Sequence, residues 1–326
     1  MTQSTPADAT ATRLLADVGG TNARFALARP GGAAEAIRVL HAADHEGVAE
    51  AVVAYLAEAG PATRPTVAAF AVAAPVTGDE IRFTNSQWSF SIAALKRRLG
   101  LAHLVVVNDF VAAAGAVPQL APTDLMQIGP GSAAPDMPIA VLGPGTGLGV
   151  AALIPDRGRW IPVATEGGHA TLAAADSREA AIIAAMRTRT GHVSAERALS
   201  GAGLVHLRDA IAAVDGVDAP PLDPHEITAR AIADADPLCR TTLDAFWAML
   251  GGFAGNLALS YGALGGVYIA GGIVPAMAYR IAQSAFRARF EAKGRFRDYL
   301  HAIPTFVVTH PQPAFLGLAA LLDSAP

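Results

Sequence analysis

One stretch near the start of the chain decides the fold: Leu14-Leu15-Ala16-Asp17-Val18-Gly19-Gly20-Thr21-Asn22-Ala23-Arg24-Phe25-Ala26-Leu27. It predicts an apolar strand, a tight glycine turn and a second apolar strand, with a carboxylate at the mouth of the turn. Glycines let a backbone adopt positive φ and approach a ligand closely, and successive backbone N–H groups in such a turn form a concave nest for anions. The turn therefore suits a phosphate group, although an ordinary hairpin with a Gly-Gly turn has the same pattern.

A second stretch repeats this layout. Residues 142–153 read Leu-Gly-Pro-Gly-Thr-Gly-Leu-Gly-Val-Ala-Ala-Leu, again a strand, a glycine turn with a threonine, and a strand. The recurrence favours two phosphate loops that face each other across a cleft. These glycines could be mistaken for a dinucleotide fingerprint, but that fingerprint opens a helix, whereas residues 150–155 are typical of a strand.

Length and composition narrow the class of protein. With 326 residues, the chain is long for one domain, and we expect two lobes. A net charge of -4 with 16% charged residues gives no long-range attraction to nucleic acid or to an anionic membrane, so a small-molecule partner is favoured. The only lysines, Lys96 and Lys293, lie outside the glycine-rich turns, which argues against a Walker A loop and against a protein kinase.

Cysteine usage and the apolar segments predict a cytoplasmic protein. Cys239 is the only cysteine, which excludes intramolecular disulfides and cysteine-cluster metal sites. Residues 1–12 are small and polar and predict a frayed tail, because no basic region followed by an apolar run marks a signal peptide. Residues 245–264 carry no charge and could cross a bilayer by length. Glycines and Asn256 interrupt them and no basic flank is present, so a closely packed central helix is predicted instead.

Polar side chains follow one predicted strand at its carboxyl end. Residues 103–107 are an apolar strand that ends in Asn108-Asp109. Parallel α/β sheets bind ligands at the carboxyl ends of their strands, so this pair is well placed for catalysis. Asp109 could equally cap the apolar helix predicted from Phe110 to Val117.

Three other segments carry candidate residues for ligand binding. A strand delivers Glu166 and His169, separated by two glycines, and together they could bind vicinal hydroxyls, although a lone histidine beside glycines is usually structural. Glu196 is not distinguished by spacing from a residue that supports a helix start. Gly271-Gly272 follows a strand and precedes a predicted helix, which leaves room for a flat ring such as adenine but is equally explained by tight packing.

Laid end to end, these residues resemble the bacterial glucokinases of the hexokinase group, within the actin-like ATPase superfamily. The resemblance runs from about Leu14 to Leu322. Any one of its motifs is weakly specific, whereas six in the family's order are strongly specific. The six are Asp17-Val-Gly-Gly-Thr-Asn-Ala-Arg24, Asn108-Asp109-Phe110, Gly145-Thr-Gly-Leu-Gly149, Glu166-Gly-Gly-His169, Ser194-Ala-Glu-Arg197 and Ala270-Gly-Gly-Ile273.

The resemblance implies an α/β fold, the two-lobed actin-like ATPase (ribonuclease H-like) fold with a central cleft. It places residues 1–118 and 313–326 in a small lobe and residues 119–312 in a large lobe. Related ROK proteins carry a cysteine-rich zinc motif after their glutamate and histidine. This chain has no cysteine there, so it is similar to the zinc-free glucokinases.

The resemblance also implies the roles of the site residues. Asp109 is expected to be the catalytic base, beside Asn108, which holds sugar hydroxyls. The residues expected to bind hydroxyls around the anomeric end of the sugar are Glu166, His169 and Glu196. The residues expected to hold ATP are Ala16, Asp17, Val18, Gly19, Gly20, Thr21 and Asn22 in the first loop, Gly145, Thr146 and Gly147 in the second, and Gly271 and Gly272 beside the adenine. Asp17 would also help to place Mg²⁺ through water.

The reaction implied is the ATP-dependent phosphorylation of D-glucose at its 6-hydroxyl, the first step of glycolysis. We expect the lobes to close on glucose and exclude water, and the family resemblance suggests a homodimer that binds neither nucleic acid nor membrane. Two alternatives stay open: a kinase for another hexose or an amino sugar, and a non-catalytic sugar-sensing protein on the same scaffold. The second is disfavoured because the residues before Asp17 are too few for a helix-turn-helix and because Asp109 is present.

Overall fold

A computed structural model describes residues 12–60, 64–83 and 87–324 of the chain. The predicted tail therefore lies outside the described residues, apart from Thr12. The chain divides into two compact units. Unit 1 comprises Met1–Leu120 and His310–Pro326, and unit 2 comprises Ala121–Thr309.

Unit 1 is built on a five-stranded sheet. Its strands are β1 (Arg13–Val18), β2 (Asn22–Ala28), β3 (Glu35–His41), β4 (Val67–Val72) and β7 (His103–Asn108), while β5 (Glu80–Arg82) and β6 (Ser89–Ser91) form a separate pair. The order is β3-β2-β1-β4-β7, with β1, β2 and β3 antiparallel and β1, β4 and β7 parallel. Strands β1 and β4 are buried almost throughout, as expected for nearly continuous apolar runs covered on both faces.

Helices pack on both faces of this sheet. They are α1 (Val48–Ala59), α2 (Ile92–Arg98), α3 (Asp109–Ala116) and α13 (Pro313–Asp323). Because side chains alternate along a strand, Leu14 packs in the cluster that contains α1, whereas Leu15 packs in the cluster that contains Phe315 of α13. Helices α3 and α13 are in backbone contact, since a methyl group added to Gly317 would overlap Ala112 O. This contact supports the helix that Asp109 begins.

Unit 2 repeats the strand arrangement of unit 1. Its strands are β8 (Leu125–Ile128), β9 (Ile139–Pro144), β10 (Leu148–Asp156), β11 (Arg159–Thr165), β12 (Val267–Ile269) and β13 (Thr305–Val308). Their order is β11-β10-β9-β12-β13-β8, with β9, β10 and β11 antiparallel and β9, β12 and β13 parallel. Apart from β8, the order matches that of unit 1 with β9 in the place of β1. Residues 150–155 lie within strand β10, so the prediction that the second glycine turn opens no helix is confirmed.

The longest helix of unit 2, α8, is the predicted central helix. The helices of this unit are α4 (Ser177–Thr190), α5 (Ala195–Ala198), α6 (Gly201–Asp215), α7 (Pro224–Ile232), α8 (Pro237–Tyr261), α9 (Ile273–Ala276), α10 (Ala278–Ile281), α11 (Phe286–Glu291) and α12 (Arg297–His301). Helix α8 starts before the charge-free run because Asp236 caps it, accepting from Leu238 N (2.9 Å) and Cys239 N (3.1 Å). Its glycines explain the close packing, because a methyl group on Gly251 would lie 2.1 Å from Phe286 O. Within the described part of the chain, no helix has the length and apolarity needed to cross a membrane.

Two local predictions are wrong. Residues 200–203 read Ser-Gly-Ala-Gly, which predicts a turn, but Ser200 is the N-cap of α6, where its side chain accepts from Gly203 N. The helix predicted after Gly271-Gly272 should start at Pro275, but the segment forms two short helices, α9 from Ile273 and α10 from Ala278. The helical geometry breaks at Met277, whose φ of -122° and ψ of 27° lie outside the helical range.

Candidate active site

The first glycine loop, residues 19–21, connects β1 to β2 at the carboxyl end of β1. Neighbouring backbone holds it in place: Gly19 N donates to Asn22 O (2.9 Å), and Ala42 N donates to Thr21 O (2.9 Å). Neither glycine is among the described glycines with positive φ, so conformational freedom is not what this loop requires of them. Close approach is the reason at position 19, where a methyl group would lie 3.2 Å from Asn22 O.

Asp17, next to this loop, is a mostly buried carboxylate. Its side chain is 19% exposed, and its Oδ2 accepts from Nη1 of Arg24 at 2.9 Å, directly across the β1–β2 pair. Burial raises the pKa of Asp17 above its usual value, and the guanidinium of Arg24 opposes that shift. Asn22 lies on the same face of the hairpin because it is two residues from Arg24. Its Oδ1 is buried without a hydrogen-bond partner, so this oxygen can accept from a ligand or a bound water.

Asn108 and Asp109 lie at the start of α3. Asn108 is the N-cap, with its Oδ1 accepting from Phe110 N at 2.9 Å, and Asp109 is the first helical residue, with its Oδ1 3.0 Å from the same N–H. The N-cap position, one of the two roles considered for Asp109, therefore belongs to Asn108. The Nδ2 group of Asn108 donates to Ala74 O over 3.4 Å, and an amide nitrogen carries a second hydrogen that can reach a ligand hydroxyl.

The parallel strands bring this pair and the first glycine loop to one edge of the unit 1 sheet. Val18 is in register with Val72, and Val72 is in register with Asn108. Strands are spaced by roughly 4.8 Å, so the two segments lie about 10 Å apart along that edge. The edge is the one at which α/β sheets bind their ligands.

The second glycine loop, residues 145–147, connects β9 to β10 in unit 2. It is closed by a hydrogen bond from Gly145 N to Gly147 O (2.8 Å), and Gly201 N donates to Gly145 O (2.9 Å). Residue 201 begins α6, so the segment 200–203, which is the start of a helix and not a turn, contacts the second glycine loop. The signal that could have found it is Ser200 directly before an apolar run with helical spacing, which is typical of an N-cap.

Gly271 and Gly272 lie beside this loop and differ in the space that surrounds each of them. Gly271 has a φ of 81°, and a methyl group there would lie 2.4 Å from Pro144 O, so tight packing accounts for this glycine. A methyl group on Gly272 would meet no heavy atom within 4 Å. Open space of the kind predicted for a flat ring is therefore found at Gly272 alone of the pair.

Glu166, His169 and Glu196 lie together, although Glu196 is far from the other two in sequence. Nε2 of His169 is 4.0 Å from Oε2 of Glu166, and its Nδ1 is 4.0 Å from Oε1 of Glu196. Side-chain exposure is 60% for His169, 55% for Glu166 and 31% for Glu196, so a solute can reach all three. Two carboxylates around an imidazole offer both acceptors and a donor, which is the chemistry that recognises a polyol.

The Gly-Gly pair inside this motif is required by packing against β10. A methyl group on Gly168 would lie 1.9 Å from Leu148 O, and one on Gly167 would lie 3.0 Å from Cγ1 of Val150. A 3₁₀ turn over Gly167–His169 then presents His169 outwards. Glu196 reaches the imidazole because Ala195 N donates to Ala170 O (2.8 Å), which ties the two segments together.

Two cavities of unit 2 are lined by none of the candidate site residues. One cavity of about 370 Å³ is lined by residues such as Val205, Asp209 and Leu222, and another of about 370 Å³ by residues such as Asp234, Arg240 and Arg280. Among residues 12–60, 64–83 and 87–324, no group of three or more His, Cys, Asp and Glu side chains is arranged to hold a metal ion.

Comparison with known proteins is consistent with this geometry. A family model described as Glucokinase matches residues 14–325. A glucokinase of Paramagnetospirillum magneticum is 54% identical over 310 residues, which cover 95% of this chain and 97% of that protein. The crystal structure of a glucokinase from an Antarctic psychrotroph is 38% identical with a TM-score of 0.87, covering 96% of this chain and 99% of that one.

A more distant structure shares the fold. The ROK family glucokinase from Streptomyces griseus, solved in complex with glucose and AMPPNP, is 20% identical with a TM-score of 0.60, covering 95% of this chain and 98% of that one. Together with the two matching sheet orders, these likenesses confirm the predicted α/β actin-like ATPase fold.

Proposed function

Because the chain belongs to the glucokinase family, we propose that it transfers the γ-phosphoryl group of ATP to the 6-hydroxyl of D-glucose. The observation that carries the proposal is the cluster of Glu166, His169 and Glu196 next to the second glycine loop, with Glu196 hydrogen-bonded to Leu148 N at 2.9 Å. A cluster that can recognise hydroxyls beside a loop that can hold phosphates is what a sugar kinase needs.

Sugar binding follows from the donors and acceptors of this cluster. The carboxylates of Glu166 and Glu196 accept hydrogen bonds from sugar hydroxyls, and the imidazole of His169 bonds a neighbouring hydroxyl. The family resemblance supports a role for Asn108 in holding sugar hydroxyls. A site built on such bonds rejects analogues that lack a hydroxyl, because its own polar groups are then left unpaired.

The proposed general base is Asp109. Phosphoryl transfer passes through a loose transition state, so positioning and charge neutralisation matter more than covalent help. The attacking 6-hydroxyl still loses a proton, and a carboxylate oxygen within hydrogen-bond reach of it contributes about 10²- to 10⁴-fold. Asp109 is the first residue of α3, at the edge of the unit 1 sheet where α/β sheets bind their ligands.

ATP and Mg²⁺ are the proposed cofactors. Backbone N–H groups of residues 19–21 and 145–147 are proposed to bind the phosphates, with the adenine against the open side of Gly272. The donor set of unit 1 fits Mg²⁺, because the carboxylate of Asp17 and the partnerless Oδ1 of Asn22 are hard oxygen ligands on one face. Asp17 and Asn22 would hold the ion through its waters, and the ion would neutralise charge on the β- and γ-phosphates.

The proposal includes two features of the whole protein, a homodimer and a cytoplasmic location. Both come from the family resemblance. Sedimentation of the purified protein at micromolar concentration tests whether it is a homodimer.

The experiment that tests the function is a coupled assay for glucose 6-phosphate with Mg-ATP and glucose. Asp109→Asn is expected to lower kcat by about 10²- to 10⁴-fold, while glucose still binds in a calorimetric titration. Asp79→Asn is the matched control, because Asp79 is also a carboxylate beside a helix start, accepting from Ala93 N at 2.8 Å. Its kcat should match the parent's. No product from the parent protein, or near-normal turnover by Asp109→Asn, contradicts the proposal, and a panel of mannose, fructose and N-acetylglucosamine identifies the alternative substrates.

A further inference from the structure

The two oxygens of the Glu196 carboxylate face different parts of unit 2. Oε2 accepts a hydrogen bond from Leu148 N (2.9 Å), the residue that directly follows the second glycine loop. Oε1 is 4.0 Å from Nδ1 of His169, in the hydroxyl-binding cluster. One side chain therefore contacts both the loop and the cluster.

Gly147 accommodates this carboxylate by having no side chain. A methyl group at position 147 would lie 2.5 Å from Oε2 of Glu196 and 3.3 Å from its Cδ. Gly147 is not among the described glycines with positive φ, so an L-residue can adopt its backbone conformation. Space for Glu196 is thus the structural requirement for glycine at this position.

The backbone around Glu196 reinforces the connection. Gly201 N donates to Gly145 O (2.9 Å), at the other end of the loop. Ala195 N donates to Ala170 O (2.8 Å), next to His169. The short segment 195–201 is therefore bonded to both ends of the second glycine loop and to the turn that presents the imidazole.

Resting on the proposed function, we propose that Glu196 couples the two substrate sites: a sugar hydroxyl bound to its Oε1 fixes the carboxylate in the orientation that holds Leu148 N, and so orders the loop for the nucleotide's phosphates. Coupling between two ligands is reciprocal, because each must change the other's affinity by the same factor. A nucleotide bound to the second glycine loop therefore tightens sugar binding through Glu196.

The test measures the dissociation constant of glucose by calorimetry, with and without AMPPNP, in the parent protein, in Gly147→Ala and in a control variant. Gly147→Ala displaces the Glu196 carboxylate and leaves its charge intact. Gly252→Ala, in helix α8 and outside the proposed site, is the control, since a methyl group there would meet no neighbouring heavy atom within 4 Å. Glu196→Asp, one methylene shorter, is a second route to the same loss if Gly147→Ala does not fold by circular dichroism.

In the parent protein, AMPPNP is expected to tighten glucose binding by a factor of about 5 or more, the lower end of typical coupling. In Gly147→Ala the nucleotide-free glucose affinity should fall about tenfold, as expected when a hydrogen bond to a charged group is lost, and the coupling factor should fall to about one. Glu196→Asp should lose coupling in the same way. Gly252→Ala should keep both the nucleotide-free glucose affinity and the coupling factor of the parent.

The possible results distinguish a failure of the coupling proposal from a failure of the proposed kinase function. A parent protein that binds no glucose overturns the proposed function itself. A parent that binds glucose, together with folded Gly147→Ala or Glu196→Asp that keeps the parent's coupling factor, overturns the role of Glu196 and leaves the kinase proposal in place. Equal loss of glucose affinity in Gly252→Ala also overturns it, because the loss would then come from adding a methyl group anywhere in unit 2 and not from displacing Glu196.

Discussion

Gly168→Ala adds one methyl group where the backbone leaves no room for it. That group would lie 1.9 Å from Leu148 O and 3.0 Å from Leu148 C. Real Cβ atoms essentially never approach another heavy atom within 3.0 Å, so the turn or strand β10 must move by about 1 Å or more. The obstacle is backbone, so rotating a side chain cannot relieve it.

The displacement acts on stability and on the site together. Overpacking of this kind costs about 1–3 kcal/mol, and each kcal/mol lowers Tm by about 2–4 °C in a unit of this size. The turn carries His169 and directly follows Glu166, so both side chains move with it. A displacement of about 1 Å in positioning groups can lower the rate by about 10²-fold. We therefore expect kcat/KM for glucose to fall by about 10²-fold, mostly through a higher KM for glucose.

The assay is the coupled measurement of glucose 6-phosphate at 25 °C, where a variant whose Tm falls by this amount is still folded, together with a thermal melt. Gly252→Ala is the control for adding a methyl group to a glycine of unit 2, because the added group would meet no neighbouring heavy atom within 4 Å. If Gly168→Ala keeps both the parent's Tm and its kcat/KM while Gly252→Ala behaves normally, the close approach to Leu148 O does not constrain this turn and the reasoning is refuted.

Two further predictions test packing and charge. Gly251→Ala should lower the free energy of unfolding by about 1–3 kcal/mol, because its methyl group would lie 2.1 Å from Phe286 O. Gly252→Ala, one residue later in the same helix, should raise the free energy of unfolding by up to about 1 kcal/mol through helix propensity. Denaturant titration compares the two variants, and equal stabilities contradict the packing account. Burial raises the pKa of Asp17 despite the opposing charge of Arg24, so the stability that this residue contributes below its usual pKa of 3.8 is lost as pH rises through the raised pKa. Asp17→Asn, which carries no charge, should therefore raise Tm at pH 7.5, show no Tm gain below pH 3.8, and lower kcat. A Tm of Asp17→Asn below that of the parent at pH 7.5 would show that the buried charge does not reduce stability.

Local sequence determined the two glycine loops and the polar strand end. Apolar runs on both sides of a glycine turn specify a hairpin whatever packs on it, so β1–β2 and β9–β10 were readable from the chain. Asn108-Asp109 was recognisable because polar residues at the carboxyl end of an apolar parallel strand lie at the edge where ligands bind. The sequence could not show which residue of the pair caps α3, since either residue can cap a helix. Only the backbone geometry assigns the N-cap to Asn108.

Tertiary structure decided what depends on contacts between distant segments. Glu196 has no distinguishing spacing in the sequence, and it approaches His169 only because residues 170 and 195 are hydrogen-bonded. The reason for glycine at 147 and 168 is likewise a neighbour far along the chain, Glu196 in one case and Leu148 O in the other. Steric exclusion is a property of the packed state, so a pattern can mark where glycines occur, but only the folded backbone shows what each of them makes room for.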